Sequence, residues 1–354
     1  MNFLLSGYYG YDNAGDEAVL AAMLEHLSAL APPKTRFTIT SGDPSATIQT
    51  HAGHNLTVIG RQNPRALTAA IRACDVFISG GGSLLQDVTS LRNVAYYTGL
   101  LRIAQLARKP TMFYAQGVGP LRHQSSRVLA RAAVSHCKII TVRDEASRAL
   151  LEEIGVRKKI EVTADPVWAL EAEQSKIQNP KSKIQKLWLL ALRSWPGLDD
   201  AESKAGAVGL IEAARSAARD ADATLQFLPL QTDRDRLWME SGGALESEII
   251  DTSGWHPRRF VEAAAQCDLM IAIRLHALIF AARSSTPCVA LNYDPKVAAL
   301  CELIDAPLLN DLSAPELAKL PAAIAEARPL QENKREAFRD KARRNAELAV
   351  GLSA

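Results

Sequence analysis

Short runs of aliphatic and β-branched residues alternate with longer amphipathic stretches along the whole chain, and few folds accommodate that rhythm. The runs at 2–6, 36–41, 56–59, 75–79, 111–115, 138–142 and 160–163 are mostly aliphatic, aromatic or β-branched, as strands covered on both faces are. Helical stretches at 16–30, 91–108, 123–136 and 144–154 lie between them. Such a succession builds a parallel sheet with helices on either side. The second half repeats it, with strand candidates at 187–192, 224–228, 248–250, 268–272 and 287–291 and helices at 201–219, 275–283, 313–326 and 330–350. The expected fold class is α/β, with two Rossmann-like doubly wound domains.

A chain of 354 residues suits two ordinary domains better than one core. The expected division is 1–170, a linker or exposed insertion at 171–186, a second domain at 187–328, and a C-terminal helix over 329–354. The linker is polar, holds Pro180, and echoes Ser175-Lys176-Ile177-Gln178 at Ser182-Lys183-Ile184-Gln185. Two sheets joined in this way are expected to face an interdomain cleft at their carboxyl edges, where ligands of doubly wound folds bind.

The totals exclude several classes. A chain 47% hydrophobic and 23% charged is not a disordered one. The net charge of +2 gives no global field for nucleic acid. The N-terminal Met1-Asn2-Phe3-Leu4-Leu5-Ser6 lacks a basic signal region, and no run approaches the ~20 apolar residues of a membrane span. Five scattered cysteines without CxxC spacing read as free thiols in a reducing compartment. The expectation is a cytoplasmic enzyme with no metal and no cofactor.

Candidate site residues cluster where strands end. Gly7-Tyr8-Tyr9-Gly10-Tyr11-Asp12-Asn13-Ala14-Gly15-Asp16-Glu17 follows the first strand. Asn13 or Asp16 caps the next helix, and the tyrosines with Asp12 and Asn13 suit sugar hydroxyls. Its spacing is not that of a dinucleotide loop. Ser79-Gly80-Gly81-Gly82-Ser83 exposes backbone N–H groups to an anion or a hydroxyl-rich ligand, with no P-loop lysine after it. Gln116-Gly117-Val118-Gly119-Pro120 is a third loop on that edge. Arg143, Arg193, Arg274 and Lys296 each follow a strand, and four cations at carboxyl ends suit a small, multiply anionic substrate. His276, two residues after Arg274, is placed for acid–base work. His123 and His256, at expected helix starts, are secondary candidates.

Taken in order, these segments resemble the polysaccharide pyruvyl transferase family, its bacterial CsaB type in particular. The resemblance rests on Gly10 to Glu17, Gly80-Gly81-Gly82-Ser83, Gln116 to Pro120 and Arg143-Asp144-x-x-Ser147. It continues through Asp165-Pro166, Arg193-x-Trp195-Pro196, Arg274-Leu275-His276 and Asn292 to Lys296, over nearly the whole chain. It implies a glycosyltransferase-B-like fold whose last helix crosses back to the first domain. It also implies transfer of a pyruvyl group from phosphoenolpyruvate to a sugar of a cell-surface polysaccharide, giving a cyclic ketal and phosphate. In CsaB relatives the acceptor is N-acetylmannosamine of a secondary cell-wall polymer that anchors surface-layer proteins. On this reading His276, Arg274 and Asp16 are catalytic. Arg143, Arg193, Lys296, Asp12, Asn13, Gly81, Gly82, Ser83, Gln116 and Tyr11 bind substrates. A lipid-linked acceptor would bring the protein transiently to the inner membrane face. The alternatives are a nucleotide-sugar glycosyltransferase or epimerase of the same fold, and a non-catalytic glycan-binding member.

Overall fold

The computed structural model describes residues 1–88, 91–172, 186–193 and 200–353. The expected linker lies almost wholly outside them, as do Trp195 and Pro196. The backbone separates into two compact units, Met1–Leu170 with Ala337–Ala354, and Glu171–Glu336.

Unit 1 opens β1 (Asn2–Ser6), α1 (Ala14–Leu30), β2 (Arg36–Ser41), α2 (Pro44–Thr50), β3 (Leu56–Gly60) and α3 (Pro64–Ala73). It continues β4 (Val76–Gly80), α4 (Leu91–Leu106), β5 (Thr111–Gln116), α5 (Gln124–Val134), β6 (Ile139–Val142), α6 (Glu145–Glu153) and β7 (Glu161–Val162). Its strands are parallel, in the order β3-β2-β1-β4-β5-β6-β7. The chain builds outward from β1 to β3, then crosses to β4 and builds the other way. Right-handed crossovers therefore put α1 and α2 on one face and α3, α4 and α5 on the other. Leu4, Phe77, Phe113 and Leu101 fill the core under the second face. The β1–β4 boundary is the switch point, where the loops leaving the two strands diverge and open a crevice.

Unit 2 runs β8 (Lys186–Ala191), α7 (Asp200–Asp220), β9 (Ala223–Phe227), α8 (Thr232–Ser241), α9 (Pro257–Gln266), β10 (Leu269–Ala272) and α10 (Leu275–Arg283). It closes with β11 (Cys288–Leu291), α11 (Pro295–Ile304), β12 (Leu308–Leu309), α12 (Ala314–Leu317) and α13 (Leu320–Glu326). The strand order β12-β11-β10-β8-β9 puts its switch point between β8 and β10. The last helix, α14 (Glu332–Val350), holds the boundary between units. Its later turns belong to unit 1, where Ala342, Ala346 and Ala349 are fully buried. There Asn345 accepts from Thr163 Oγ1 at 2.9 Å and donates to the Ala164 carbonyl at 3.2 Å. Phe338 stacks on Trp168 with centroids 4.5 Å apart.

Two expectations need correction, and one strand is not expected at all. Residues 248–250 are not a strand: Glu246–Glu248 winds into a short 3-10 turn, and Ile249 makes one isolated bridge to Phe227. The helix expected over 313–326 is two, because Pro321 cannot donate to the helix before it and opens α13 instead. The two-residue β12 is too short to leave a periodic signal.

Candidate active site

In unit 1 the site grows from the loop after β1. Asn13 caps α1 by accepting from Gly15 N at 3.2 Å. Glu17 turns back on the loop: Oε1 accepts from Gly10 N at 2.7 Å, and Oε2 pairs with His51 Nε2 at 2.9 Å. The carboxylate and the buried imidazole thus hold the loop against the first turn of α1. Tyr9 faces inward, donating its hydroxyl to the Gly80 carbonyl at 3.0 Å. Burial, with Asp16 and Glu17 nearby, raises its pKa well above the usual tyrosine value. It is a core residue, so two tyrosines rather than three remain for a ligand. Tyr8 and Tyr11 stack, 4.3 Å apart at 15°. Asp12 is exposed at their tip.

The glycine loop after β4 meets this one. Gly81 and Gly82 have φ of +64° and +71°, and a Cβ on Gly82 would lie 2.7 Å from Asp16 Oδ1. The absent side chain is what lets the two loops touch. Gln116 is fully buried and donates through Nε2 to Ser79 O and Ser79 Oγ, both at 2.8 Å. Its Oε1 meets no donor among the described residues. Arg143 lies across Gly117, where a Cβ would sit 2.7 Å from its Nε. Its guanidinium reaches Asp165 Oδ2 at 2.9 Å, Ser83 Oγ at 3.0 Å and Asp144 Oδ2 at 3.6 Å. Burial pulls its pKa down, but Asp165 and Asp144 outweigh that and the net shift is upward. Asp16, Gly82, Ser83, Gln116 and Arg143 thus share one sheet edge, with Arg143 committed to two carboxylates of its own chain.

A cation that the sequence reading did not weigh completes this edge. Arg61 directly follows β3, and its guanidinium lies 4.2 Å from the Tyr96 ring centroid, 5.5 Å from that of Tyr97 and 5.6 Å from that of Tyr11. Nη1 donates to the Tyr11 hydroxyl at 3.2 Å. The rule that singled out Arg143, a cation at a carboxyl strand end, reaches Arg61 as well. Its three rings come from α4 and the first loop, which only the fold brings together.

In unit 2 the edge of β8, β10 and β11 carries the other candidates. Arg274 stands at the N-cap position of α10 without a side-chain capping bond, and is buried against Asp235 of α8, which is 1% exposed. Asp235 also accepts from Leu230 N at 3.0 Å and Gln231 N at 2.9 Å. Its partner lies 39 residues away, so sequence spacing gave no sign of the pair. Arg274 Nε is buried and meets no acceptor among the described residues. Asn292, at the end of the neighbouring β11, has a buried Oδ1 without a donor among them. His276 is half-buried in the first turn of α10, its ring 6.4 Å from that of Phe280. Lys296 Nζ stands 3.5 Å from Asp294 Oδ2, and Asp294 Oδ1 caps α11 through Lys296 N at 3.0 Å. The Arg193 guanidinium lies 5.1 Å from the Tyr293 ring centroid. Of the secondary histidines, His256 caps α9, accepting from Arg258 N at 3.3 Å, and His123 precedes α5.

Both edges offer polar groups whose bonding a ligand would complete. Unit 1 presents hydroxyls, amides and carboxylates suited to a sugar. Unit 2 presents cations and an imidazole suited to a small anion. A family model described as polysaccharide pyruvyl transferase matches residues 13–295. Among solved structures, the UDP-GlcNAc 2-epimerase of Methanocaldococcus jannaschii is similar over 98% of each chain, with 13% identity and a TM-score of 0.65. A putative UDP-N-acetylglucosamine 2-epimerase of Listeria monocytogenes is similar over 96% of this chain and 91% of that one, at 11% identity and a TM-score of 0.62. HepE of Anabaena, solved with UDP and glucose, is similar over 100% of this chain and 97% of its own, at 14% identity and a TM-score of 0.56. These likenesses establish a fold of two parallel-sheet, Rossmann-like units of the glycosyltransferase-B kind.

Proposed function

Because the chain belongs to the polysaccharide pyruvyl transferase family, we propose that it moves the pyruvyl group of phosphoenolpyruvate onto a sugar of a cell-surface polysaccharide, forming a cyclic ketal and releasing phosphate. The observation that supports this reading is a pair of buried polar atoms at adjacent strand ends, Arg274 Nε and Asn292 Oδ1, that meet no partner among the described residues, with His276 and Lys296 in the helices that follow. Burying such groups without partners costs about 1–3 kcal/mol each, so a ligand that satisfies them recovers that energy on binding. Phosphoenolpyruvate brings a carboxylate and a phosphate on three carbons, and its charge matches the cations.

The chemistry asks for proton movement and charge stabilisation. A proton reaches the methylene carbon, the positive charge that develops at the central carbon is met by one sugar hydroxyl, and phosphate departs. A second hydroxyl then closes the ring. Of the two hydroxyl protons, one ends on the new methyl group and the other leaves with phosphate. His276 is the acid–base group on this reading, and Arg274, Lys296 and Arg193 hold the donor. Asp16 orients the acceptor, which Tyr11, Asp12, Asn13 and the backbone of Gly81 and Gly82 hold. Arg143 acts mainly by fixing Ser83 and Asp165, and so the shape of that edge.

Phosphate release from phosphoenolpyruvate against a panel of acceptor sugars tests the assignment. We expect His276→Ala to lower turnover by about 10²–10⁴-fold. Ordinary turnover by His276→Ala and Arg274→Ala would remove both roles. Thermal stabilisation by a uridine nucleotide but none by phosphoenolpyruvate would instead support a nucleotide-sugar enzyme of this fold.

A further inference from the structure

Arg61 differs in one respect from Arg143 and Arg274. Arg143 pairs with Asp165 and Asp144, and Arg274 pairs with Asp235. Arg61 is half-buried at the end of β3, yet it has no carboxylate partner among the described residues. Two acids on the elements beside it are engaged elsewhere. Glu17 holds Gly10 N and His51, and Asp43 Oδ1 accepts from Ser45 N and Ala46 N, both at 3.0 Å. Of the five N–H donors of the guanidinium, one is used, from Nη1 to the Tyr11 hydroxyl at 3.2 Å. Nε and Nη2 meet no acceptor among the described residues, and neither is sealed from solvent as Arg274 Nε is.

The charge is also held in place. Tyr11 packs on the Tyr8 ring and against Gly42, where a Cβ would lie 2.5 Å from Tyr11 Cζ. Its hydroxyl is thereby fixed for Nη1. From α4, Tyr96 lies 4.2 Å from the guanidinium and donates its own hydroxyl to the Arg61 carbonyl at 3.1 Å. Tyr97, edge-on to Tyr96, donates to the Gly7 carbonyl at 3.2 Å. The loop after β1, the end of β3 and the start of α4 are tied together around one cation. Ring faces attract a guanidinium and steady it, but they do not neutralise it.

We propose that Arg61 binds an anionic group, a carboxylate or a phosphate, of the saccharide that unit 1 takes, so that the acceptor is an acidic sugar rather than a neutral one. This rests on the reading above in which unit 1 holds the acceptor. The Nε–Nη2 edge is a pair of parallel donors, which fits two oxygens of either group. A neutral hydroxyl accepting there would leave the half-buried charge uncompensated. Because Tyr11 and its loop already fix the guanidinium, little side-chain freedom is lost when the anion arrives.

Two measurements on the full chain test this: phosphate release from phosphoenolpyruvate, and calorimetric binding without it. The probes are glucose, galactose and mannose, each as the neutral sugar, the uronic acid and the 1-phosphate. We expect wild type to prefer an acidic member over its neutral counterpart by about 10–100-fold in KM or Kd, the range of a charge-assisted hydrogen bond. Preference for the uronic acids or for the phosphates supports the proposal and says which group is bound. Arg61→Met should abolish most of that preference, and Arg61→Lys, which keeps the charge without the fork, should restore part of it. If Arg61→Met does not fold, Arg61→Gln serves the same purpose. A variant that melts lower but keeps the preference marks a merely structural residue and overturns the proposal. Equal use of neutral and acidic sugars by wild type overturns it too, and would leave the transferase reading standing. Phosphate release with no probe, together with Arg61-dependent binding of an acidic one, would do the reverse. Binding of none of the acidic probes overturns it as well.

Discussion

Arg274 and Asp87 show how the setting of one side chain fixes its consequence. Arg274 pairs with Asp235, and its Nε meets no acceptor among the described residues. Arg274→Lys retains the charge but not the planar fork, so it should hold the fold and lose at least about tenfold in kcat/KM for phosphoenolpyruvate. Asp235→Asn does the opposite. It leaves a buried guanidinium without its counter-charge, and about 3–5 kcal/mol of stability should go, read as a lower melting temperature. Asp87 concerns the fold alone. Burial pushes its pKa up, but the amides of Arg122 and His123 more than offset this, and the net shift is downward. Its contribution is therefore present above the unfolded carboxylate pKa of about 3.9 and lost as pH falls through the lower folded value. Asp87→Asn should melt lower than wild type at neutral pH, and the gap should narrow as pH drops below about 4. A gap independent of pH would show that the charge at Asp87 contributes nothing.

At the scale of elements, the meeting of two loops is what makes the unit 1 edge. Gly82→Ala combines a positive φ with a Cβ 2.7 Å from Asp16 Oδ1, so Asp16 must move. We expect KM for the acceptor to rise more than KM for phosphoenolpyruvate in steady-state phosphate release, because the change lies in unit 1. Most strands were legible in the sequence because each is a short run rich in aliphatic and β-branched residues: 2–6 and 36–41 match β1 and β2 residue for residue. Helices with sharp signals were legible too, since Asn13 and Asp144 cap α1 and α6 by side-chain bonds. The site was legible only where one rule applied locally, a loop or cation directly after a strand. Asp235, His51 and the ring cluster around Arg61 are made by pairings 39, 34 and 35 residues apart, and local patterns do not record those. Tyr9 failed for the opposite reason: a tyrosine in a glycine loop reads as exposed until Gly80 supplies a buried carbonyl for it.

Across the whole molecule, the chain leaves unit 1 at Leu170 and contributes to it again from Ala337. The returning turns of α14 add partners to groups just after β7. Thr163 Oγ1 donates to Asn345 Oδ1, and the Ala164 carbonyl accepts from Asn345 Nδ2. Asn345 is fully buried, so Asn345→Leu takes its donor from the Ala164 carbonyl, while Thr163 Oγ1 keeps the Val142 carbonyl at 3.2 Å. The cost should be about 1–3 kcal/mol for the group left unsatisfied. Hydrogen exchange measured on the full chain should place that loss in unit 1, with faster exchange at β6, β7 and the amides around Trp168. The core of unit 2, around Leu190 and Ile271, should keep its protection. Exchange that rises equally in both units would mean that they unfold as one body, and that the last helix does more than complete the first.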